Sequence, residues 1–323
     1  MLSVYSSDNK KLARQDGLDS LPGQFVWVDL FHPTREEEVL VERRLLTDVP
    51  TREEMQEIEI SSRLYREGDV LFMTAALLFN TDKDVPDIMP ITFILAKHSL
   101  VTIRYSDPKS FQVFSNRAQR SSEFLVGELA LLGLLETLVD RLADILEQVA
   151  SEIDAVSRDI FQNQKGDAPN KRDFKSLLLK IGQRADLNSK SRESLVSLGR
   201  LVSFLSFNLD PAKTADHDLK GRIKTLNQDI TALTDHASFL SNKINFLLDA
   251  SLGLISIEQN AIIKIFSVAA VVFLPPTLVA SAYGMNFEHM PELEWLYGYP
   301  FAIGLMIFSA VVPYVFFKAR GWL

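Results

Sequence analysis

The sequence predicts an α+β/α membrane protein, with a mixed domain first, a helical stalk next and two membrane-spanning helices last. Three features predict this class: strand-like runs between turn residues, then apolar residues at heptad spacing, then two uncharged intervals near the C-terminus. The predicted parts are a cytosolic α/β domain (residues 1–125), a cytosolic helical bundle and stalk (126–261) and a transmembrane domain (262–323).

Short apolar runs that end in turn residues mark the strands of the predicted α/β domain. They cover residues 25–30, 70–79, 91–95 and 100–104. A Glu-rich stretch at 34–43 has helical character and lies between the first two runs. Strands and helical segments therefore share this part of the chain.

The middle of the chain is predicted to be helical. Apolar residues recur at steps of three and four over 131–160, which predicts a long helix packed on other helices. A polar break at 162–170 separates it from a basic helix at 174–208, and Pro211 ends that helix. Apolar residues then keep heptad spacing over 223–247, so we expect one face of this stalk helix to pack laterally.

Two intervals without charge predict the membrane spans. No charged residue occurs between Lys264 and Glu288, or between Glu294 and Lys318. Each interval, if helical, is about 34 Å long, against a hydrocarbon core of roughly 30 Å. A buried hairpin in a soluble protein is the alternative, but an aromatic belt favours a membrane; its members are Trp295, Tyr297, Tyr299 and Trp322.

The flanking charges predict the orientation of the spans. The spans are placed at about 262–283 and 296–317, with a periplasmic loop at 284–295 and a tail at 318–323. Lys264 lies at the start of the first span, and Lys318 and Arg320 follow the second. The loop between the spans contains acidic residues but no Lys or Arg. Because residues 1–16 lack an apolar segment of the signal-peptide type, we expect a multi-pass protein of the cell (inner) membrane with both termini in the cytoplasm.

The composition argues against several classes of function. Cysteine is absent, so disulfides and thiolate metal sites are excluded. A net charge of −8 argues against nucleic acid as a partner. No Gly-Lys dipeptide occurs, so no nucleotide-binding P-loop is predicted. No His-Glu-x-x-His pair occurs either. We expect a protein that is not an enzyme, uses no nucleotide and has cations as partners.

A stripe of small and polar residues runs from the stalk into the first span. Such a face is costly in lipid and turns to protein or water. Close packing of two spans is one interpretation and a pore lining is the other, which Asp249 and Asn260 favour. Two spans cannot enclose a pore, so several copies are required, each stripe residue forming a ring. The stripe consists of Asp249, Gly253, Ser256, Asn260, Ile263, Ser267, Ala270, Leu274, Thr277 and Ser281.

The end of the first span resembles a known family. The run at 273–287, which contains Gly-Met-Asn at 284–286, is followed by Met-Pro-Glu-Leu at 290–293 and Gly-Tyr-Pro at 298–300. These motifs, with the tail 317–323, resemble the CorA family of divalent-cation channels. The resemblance implies a homopentamer in membrane lipid that takes up Mg²⁺, and also Co²⁺ or Ni²⁺. A zinc-transporting branch of the family and a non-conducting helical scaffold or sensor are the alternatives.

The resemblance assigns the selectivity filter to Gly284, Met285 and Asn286. Mg²⁺ releases its waters reluctantly, so a ring of Asn286 carboxamides suits binding of the hydrated ion, and Gly284 permits a close approach of the backbone. Met285 is expected to pack rather than to bind. Three acids in the loop are expected to attract cations, or else to be a solvated acidic surface: Glu288, Glu292 and Glu294.

The resemblance also implies a valve closed by cytosolic Mg²⁺ bound between subunits. The candidate regulatory acids are Asp82, Asp84, Asp87 and Asp229, each of which has a surface carboxylate as its alternative interpretation. A hydrophobic gate that closes by dewetting is assigned to Ile263, Phe266, Ala270 and Leu274.

Overall fold

A computed structural model describes residues 1–8, 11–17, 20–57, 59–81, 85–161, 174–209, 218–285, 290–291 and 294–321. The strands are β1 (Leu2–Asp8), β2 (Lys11–Asp16), β3 (Trp27–Phe31), β4 (Leu64–Glu67), β5 (Val70–Phe79), β6 (Asp87–Ala96) and β7 (Ser99–Arg104). The helices are α1 (Arg35–Leu45), α2 (Arg52–Gln56), α3 (Ile60–Arg63), α4 (Lys109–Arg120), α5 (Gly127–Phe161), α6 (Phe174–Asn208), α7 (Leu219–Tyr283) and α8 (Gly298–Ala319).

The strands form one mixed sheet in the order β2-β1-β3-β7-β6-β5-β4. Strands β3 and β7 pair in parallel, with Val28 opposite Val101, and the other pairs are antiparallel. The predicted α/β character is confirmed, and β5 has the predicted bounds. Strands β1, β2 and β4 and helix α4 were not predicted from the sequence.

Side chains that alternate along β3 divide between the two faces of the sheet. Val28 packs with Val41 of α1 and Met55 of α2 in one buried cluster. Trp27 points the other way, where its ring lies 5.4 Å from that of Phe114 in α4 and is stacked on Tyr5 at 4.1 Å. The sheet is therefore covered by helices on both faces.

A buried ion pair lies where β3 and β7 run side by side. Arg104 donates from Nη2 to Asp29 Oδ2 at 2.9 Å and from Nε to both carboxylate oxygens at 3.1 Å. Thr102 donates its hydroxyl hydrogen to Asp29 Oδ1 at 2.7 Å and accepts from the indole nitrogen of Trp27 at 3.0 Å. Arg104 also contacts Asp107 at 2.6 Å. This cluster ties the centre of the sheet to the start of α4.

The three long helices follow from their apolar spacing. Helix α6 has the bounds predicted for the basic helix, while the predicted break at 162–170 lies outside the described residues. On α7 the predicted packing face is buried at seven of its eight positions; these are Ile223, Leu226, Ile230, Ala237, Leu240, Ile244 and Leu247.

The chain divides into two compact units, Met1–Leu247 and Leu248–Leu323. Helix α7 contributes its first part to one unit and its last part to the other. The predicted boundaries after residues 125 and 261 stay predictions. In the second unit, the last part of α7 and all of α8 are long and apolar enough to span a membrane, judged by length and composition.

Candidate ion pathway and regulatory acids

The polar stripe on the last part of α7 is exposed in the described part of the chain. All ten stripe residues, from Asp249 to Ser281, are exposed. Between residues 268 and 283 the half-buried residues are Val268, Ala269, Val271, Val272, Pro275, Pro276, Val279 and Tyr283. Five of them recur along a face other than that of the stripe, namely Val268, Val272, Pro275, Val279 and Tyr283. Their spacing of four and three residues is that of one helix face.

Helix α8 supplies a packing face in the same unit. Gly298 and Ala302 are buried there, whereas most of the other side chains of α8 are exposed. Small residues at a four-residue step allow close approach of helix backbones. Gly298 and Ala302 therefore give α8 a small-residue packing face, whereas the stripe residues of α7 are exposed.

Two hydroxyl groups of the stripe are oriented by the backbone of α7. Ser267 donates to the carbonyl oxygen of Ile263 at 2.8 Å, and Thr277 donates to that of Phe273 at 2.7 Å. Each hydroxyl hydrogen is thereby used inside the helix. The oxygens keep lone pairs, so both side chains present acceptors.

The residues assigned to the hydrophobic gate are exposed as well. The exposed fraction is 61% for Ile263, 71% for Phe266 and 67% for Leu274, and Ala270 is also exposed. Large apolar side chains exposed on a helix mark lipid contact, contact with another chain or a pore constriction.

The predicted filter lies just after α7 ends at Tyr283. The Gly284 N–H donates to the Ala280 carbonyl oxygen at 2.9 Å, which extends the helical hydrogen bonding by one residue. A Cβ atom built on Gly284 would lie 3.1 Å from that same oxygen, so the constraint on this glycine is close approach rather than a left-handed backbone. Met285 is half exposed, at 49%.

Part of the predicted mouth lies outside the described residues, namely Asn286, Glu288 and Glu292. Glu294 is described and exposed. Beside it the Trp295 ring lies 5.7 Å from that of Phe301 and 6.3 Å from that of Tyr297. Of the four aromatic residues predicted as a belt, Trp295 and Tyr297 thus lie close together just before α8, and Trp322 lies outside the described residues.

The candidate regulatory acids are only partly described. Asp82 and Asp84 lie outside the described residues, and Asp87 is exposed at the start of β6, where its Oδ1 accepts from the N–H of Ile88 at 2.8 Å. Among the described residues no group of three or more His, Asp or Glu side chains is placed to hold a metal ion. Asp87 and Asp229 are accordingly not joined in such a group.

Asp229 acts electrostatically on Asp140, an acid of α5 that the sequence analysis did not identify. Partial burial raises the pKa of Asp140, and the charges of Glu136, Asp144 and Asp229 raise it further, while Arg117 opposes them. Repulsion of this kind is relieved by protonation of Asp140, and Glu136 is itself paired with Arg222 at 2.7 Å. The signal that would have found Asp140 is the i, i+4 spacing of Glu136, Asp140 and Asp144 on α5.

Comparison with known proteins identifies the family. A model of the CorA-like Mg²⁺ transporter protein family matches residues 22–319. The chain belongs to the CorA family. Two relatives named magnesium transport protein CorA are each 37% identical to it: one from Mannheimia succiniciproducens over 327 residues and one from Escherichia coli K12 over 326 residues. Each match covers 100% of both chains.

A solved structure of the CorA family has the same fold. The complete structure of the CorA magnesium transporter from Methanocaldococcus jannaschii matches with a TM-score of 0.78 at 17% identity, covering 100% of this chain and 99% of that one. The resemblance stated from the sequence motifs is therefore confirmed. So is the order of a mixed domain, a long helix and two apolar C-terminal helices.

Proposed function

We propose that the protein is a channel for Mg²⁺, and also for Co²⁺ or Ni²⁺, in which the stripe on α7 lines the pore. The observation that carries this proposal is the exposed stripe of mainly small and polar residues along the last part of α7. Family membership and the names of the full-length relatives support Mg²⁺ as the transported ion.

The side chains of the stripe suit a hydrated cation. The waters around Mg²⁺ point their hydrogens outward, so the ion in its shell needs acceptors. Ser267 and Thr277 supply acceptors because their own hydrogens are already donated to the backbone. Asn260 and Asn286 add carboxamide oxygens without a full charge that would hold the ion too long.

An assembly of several chains is required for this function. One chain offers only one stripe, so the pore lies on the symmetry axis of an oligomer, which we propose to be a homopentamer. Ile263, Phe266, Ala270 and Leu274 form its hydrophobic gate. The protein lies in the inner membrane with both termini in the cytoplasm. Glu288, Glu292 and Glu294 attract cations at the outer mouth of the pore.

Entry through such a pore needs no nucleotide. For a divalent ion, an inside-negative potential of ~100 mV contributes about 4.6 kcal/mol, twice the value for a single charge. A gradient of this size favours entry more than a thousandfold at equilibrium, since about 1.4 kcal/mol corresponds to a factor of ten. Passive influx therefore suffices.

We propose that cytosolic Mg²⁺ closes this pore. Asp82, Asp84 and Asp87 of the β5–β6 turn and Asp229 of α7 are the acids that would bind it. Asp87 and Asp229 are both exposed, so each carboxylate is open to a cation from solution. Bound Mg²⁺ would stabilise the closed state by mass action.

The conduction proposal is tested with purified protein in liposomes that contain a Mg²⁺-sensitive dye. Asn286→Ala should abolish uptake while the oligomer stays intact, because the ring loses its acceptors and keeps its packing residues. Ser309→Ala on α8, whose hydroxyl donates to the Met306 carbonyl oxygen at 2.8 Å, is the matched control and should conduct normally. Normal uptake by Asn286→Ala would remove the hydrated-ion filter from the proposal.

The same assay separates the alternative functions. Uptake of Zn²⁺ that outcompetes Mg²⁺ would indicate a zinc transporter, and the absence of any divalent uptake by the wild type would indicate a scaffold.

The valve is tested by limited proteolysis of the wild-type protein. Mg²⁺ at millimolar levels should protect the first unit, Met1–Leu247, from cleavage when compared with protein in EDTA. Equal cleavage in both conditions would exclude a Mg²⁺-closed valve.

A further inference from the structure

A cavity of about 210 Å³ lies in the first unit, between the end of β5, the start of α4 and one side of α5. Strands β5 and β7 run in the same direction, because each is antiparallel to β6. The residues that follow β5 and those that follow β7 therefore meet at one edge of the sheet. Ligands of open α/β sheets bind outside the carboxyl ends of the strands, which is where this cavity lies.

The lining of the cavity combines apolar and polar side chains. The apolar ones are buried and come from β5 and α5; they include Leu77, Leu138, Leu142 and Ile145. The polar ones are half-buried or exposed, and they include Asn80, Thr81, Lys109 and Arg141. Pockets for drug-sized ligands measure roughly 300–1,000 Å³, so a ligand that fits here is small. Such a ligand would need one polar and one apolar end.

Three features of the lining favour an anion as the polar end. Lys109 of α4 and Arg141 of α5 bring positive charge. Arg141 donates from Nη2 to the Thr81 hydroxyl oxygen at 3.1 Å, which holds the guanidinium at the end of β5. Helix α4 begins at the cavity without a side-chain cap and without an acid in its first turn. The first N–H groups of a helix attract anions, and here no acidic side chain of α4 offsets them.

Ser110, in the first turn of α4, is the residue that points to a ligand. It lines the cavity and is only 4% exposed, so the cavity is what its hydroxyl faces. Among the residues that the structure describes, neither the hydroxyl nor the N–H of Ser110 has a hydrogen-bond partner. An enclosed hydroxyl without a partner costs free energy, and a ligand that accepts its hydrogen would recover that cost.

One carboxylate also lines the cavity, that of Asp107. Its Oδ1 accepts from Arg104 Nη1 at 2.6 Å, and its Oδ2 accepts from Gln112 Nε2 at 2.8 Å. Both oxygens are therefore already engaged by donors. An anion would lie beside Ser110 and Arg141, away from the Asp107 oxygens. A phosphate suits donors that come from several elements, because it has three terminal oxygens that accept strongly.

We propose that this cavity binds a small phosphate monoester with a short apolar group. The phosphate accepts from Ser110, Lys109 and Arg141, and the apolar group contacts Leu77 and Leu138. The bound molecule joins β5, α4 and α5, so it stabilises the first unit by mass action. This site goes beyond the proposed ion pathway, and its occupation does not depend on conduction.

The test is isothermal titration calorimetry of the full chain in a detergent without phosphate groups, with EDTA present so that no divalent cation binds the probe. The probes are butyl phosphate, inorganic phosphate and pentanoate. Butyl phosphate should bind more tightly than inorganic phosphate, by about four-fold for each CH₂ group that is buried. It should also bind more tightly than pentanoate, which has the same apolar chain and fewer acceptor oxygens.

Variants of the lining locate the bound probe. Arg141→Met should weaken the binding of butyl phosphate about ten-fold, the effect of a lost charge-assisted hydrogen bond, and Arg141→Lys should restore part of it. Ser110→Ala should weaken it about five-fold. Arg158→Met, which removes an exposed arginine of the same helix α5, is the matched control and should bind like the wild type. Lys109→Met, at an exposed side chain, replaces Arg141→Met if that variant does not fold.

Several results would overturn the proposal. No binding of butyl phosphate at millimolar concentrations would remove the site. Equal affinities for butyl phosphate and inorganic phosphate would mean that no apolar group is bound, and tighter binding of pentanoate would refute the choice of phosphate. Wild-type affinity in both the Arg141 and the Ser110 variants would place the bound probe elsewhere on the protein.

Discussion

Removal of the Asp29 carboxylate is predicted to destabilise the first unit strongly. Asp29 and Arg104 are 5% and 7% exposed and share three hydrogen bonds of 2.9–3.1 Å. Burial alone would lower the pKa of Arg104, but the Asp29 carboxylate raises it above its ordinary value, so the guanidinium stays charged. Asp29→Ala would leave that charge in the core without its main partner.

The magnitude follows from what remains around Arg104. Truncating one partner of a buried pair costs about 3–5 kcal/mol, because the other charge stays desolvated. Arg104 keeps Asp107 at 2.6 Å and the Ser106 carbonyl oxygen at 2.9 Å, so we expect the lower end, ~3 kcal/mol. Asp107 is 39% exposed, and Asp107→Ala should therefore cost no more than about 1 kcal/mol.

Trp27 provides the assay because its indole nitrogen binds the hydroxyl that also contacts Asp29. The chain has three tryptophans, so Trp295→Phe with Trp322→Phe leaves Trp27 as the only fluorescent indole. Guanidinium titration of this background, with and without Asp29→Ala, measures the difference in unfolding free energy.

Two results would refute the reasoning about the buried pair. One is an Asp29→Ala cost no larger than that of Asp107→Ala. The other is a double variant, Asp29→Leu with Arg104→Met, that is less stable than Asp29→Ala, since removal of both charges should recover stability.

Three further predictions concern packing, the stripe and the α5 acids. Gly133→Ala should lower the melting temperature, because the new Cβ would lie 2.4 Å from the Phe124 ring and overpacking costs about 1–3 kcal/mol; an unchanged melting temperature would mean that the ring can move. Asp249→Ala should alter cation retention with assembly intact, whereas Leu247→Asp should disrupt assembly; identical behaviour in size-exclusion and uptake assays would contradict the division of faces. Asp140→Asn should raise the melting temperature at neutral pH, because the raised pKa of the Asp140 carboxyl means that its ionisation opposes folding. This gain should vanish at a pH below the ordinary carboxyl pKa, where Asp140 is protonated in both the folded and the unfolded state.

The sequence predicted best those elements whose residues repeat a regular spacing over a long stretch. Helix α6 and strand β5 were predicted with their observed bounds. Strand β2 was missed because its sequence, KLARQD, is charged and it lies at the edge of the sheet. Helix α4 was missed although Phe111, Phe114 and Ala118 stand on one face, since polar residues surround them.

Those parts of the candidate site that depend on local spacing could be predicted from the sequence, and those that depend on long-range packing could not. The stripe on α7 could be predicted because helical spacing alone defines its residues. The effect of the Asp229 charge on the pKa of Asp140 could not, because it depends on how α5 and α7 pack, and these residues are far apart in the chain. Arg141 was missed for the same reason, since it meets Thr81 across 60 residues of sequence.

The back-bonded hydroxyls of Ser267 and Thr277 bear on how the protein is made. In hydrocarbon an unsatisfied donor is expensive, and a polar face would ordinarily require a partner before it could enter the bilayer. Here each hydroxyl hydrogen finds its acceptor one turn back in its own helix. These two hydroxyls therefore need no second chain when the helix enters a bilayer, so they do not require assembly to precede insertion.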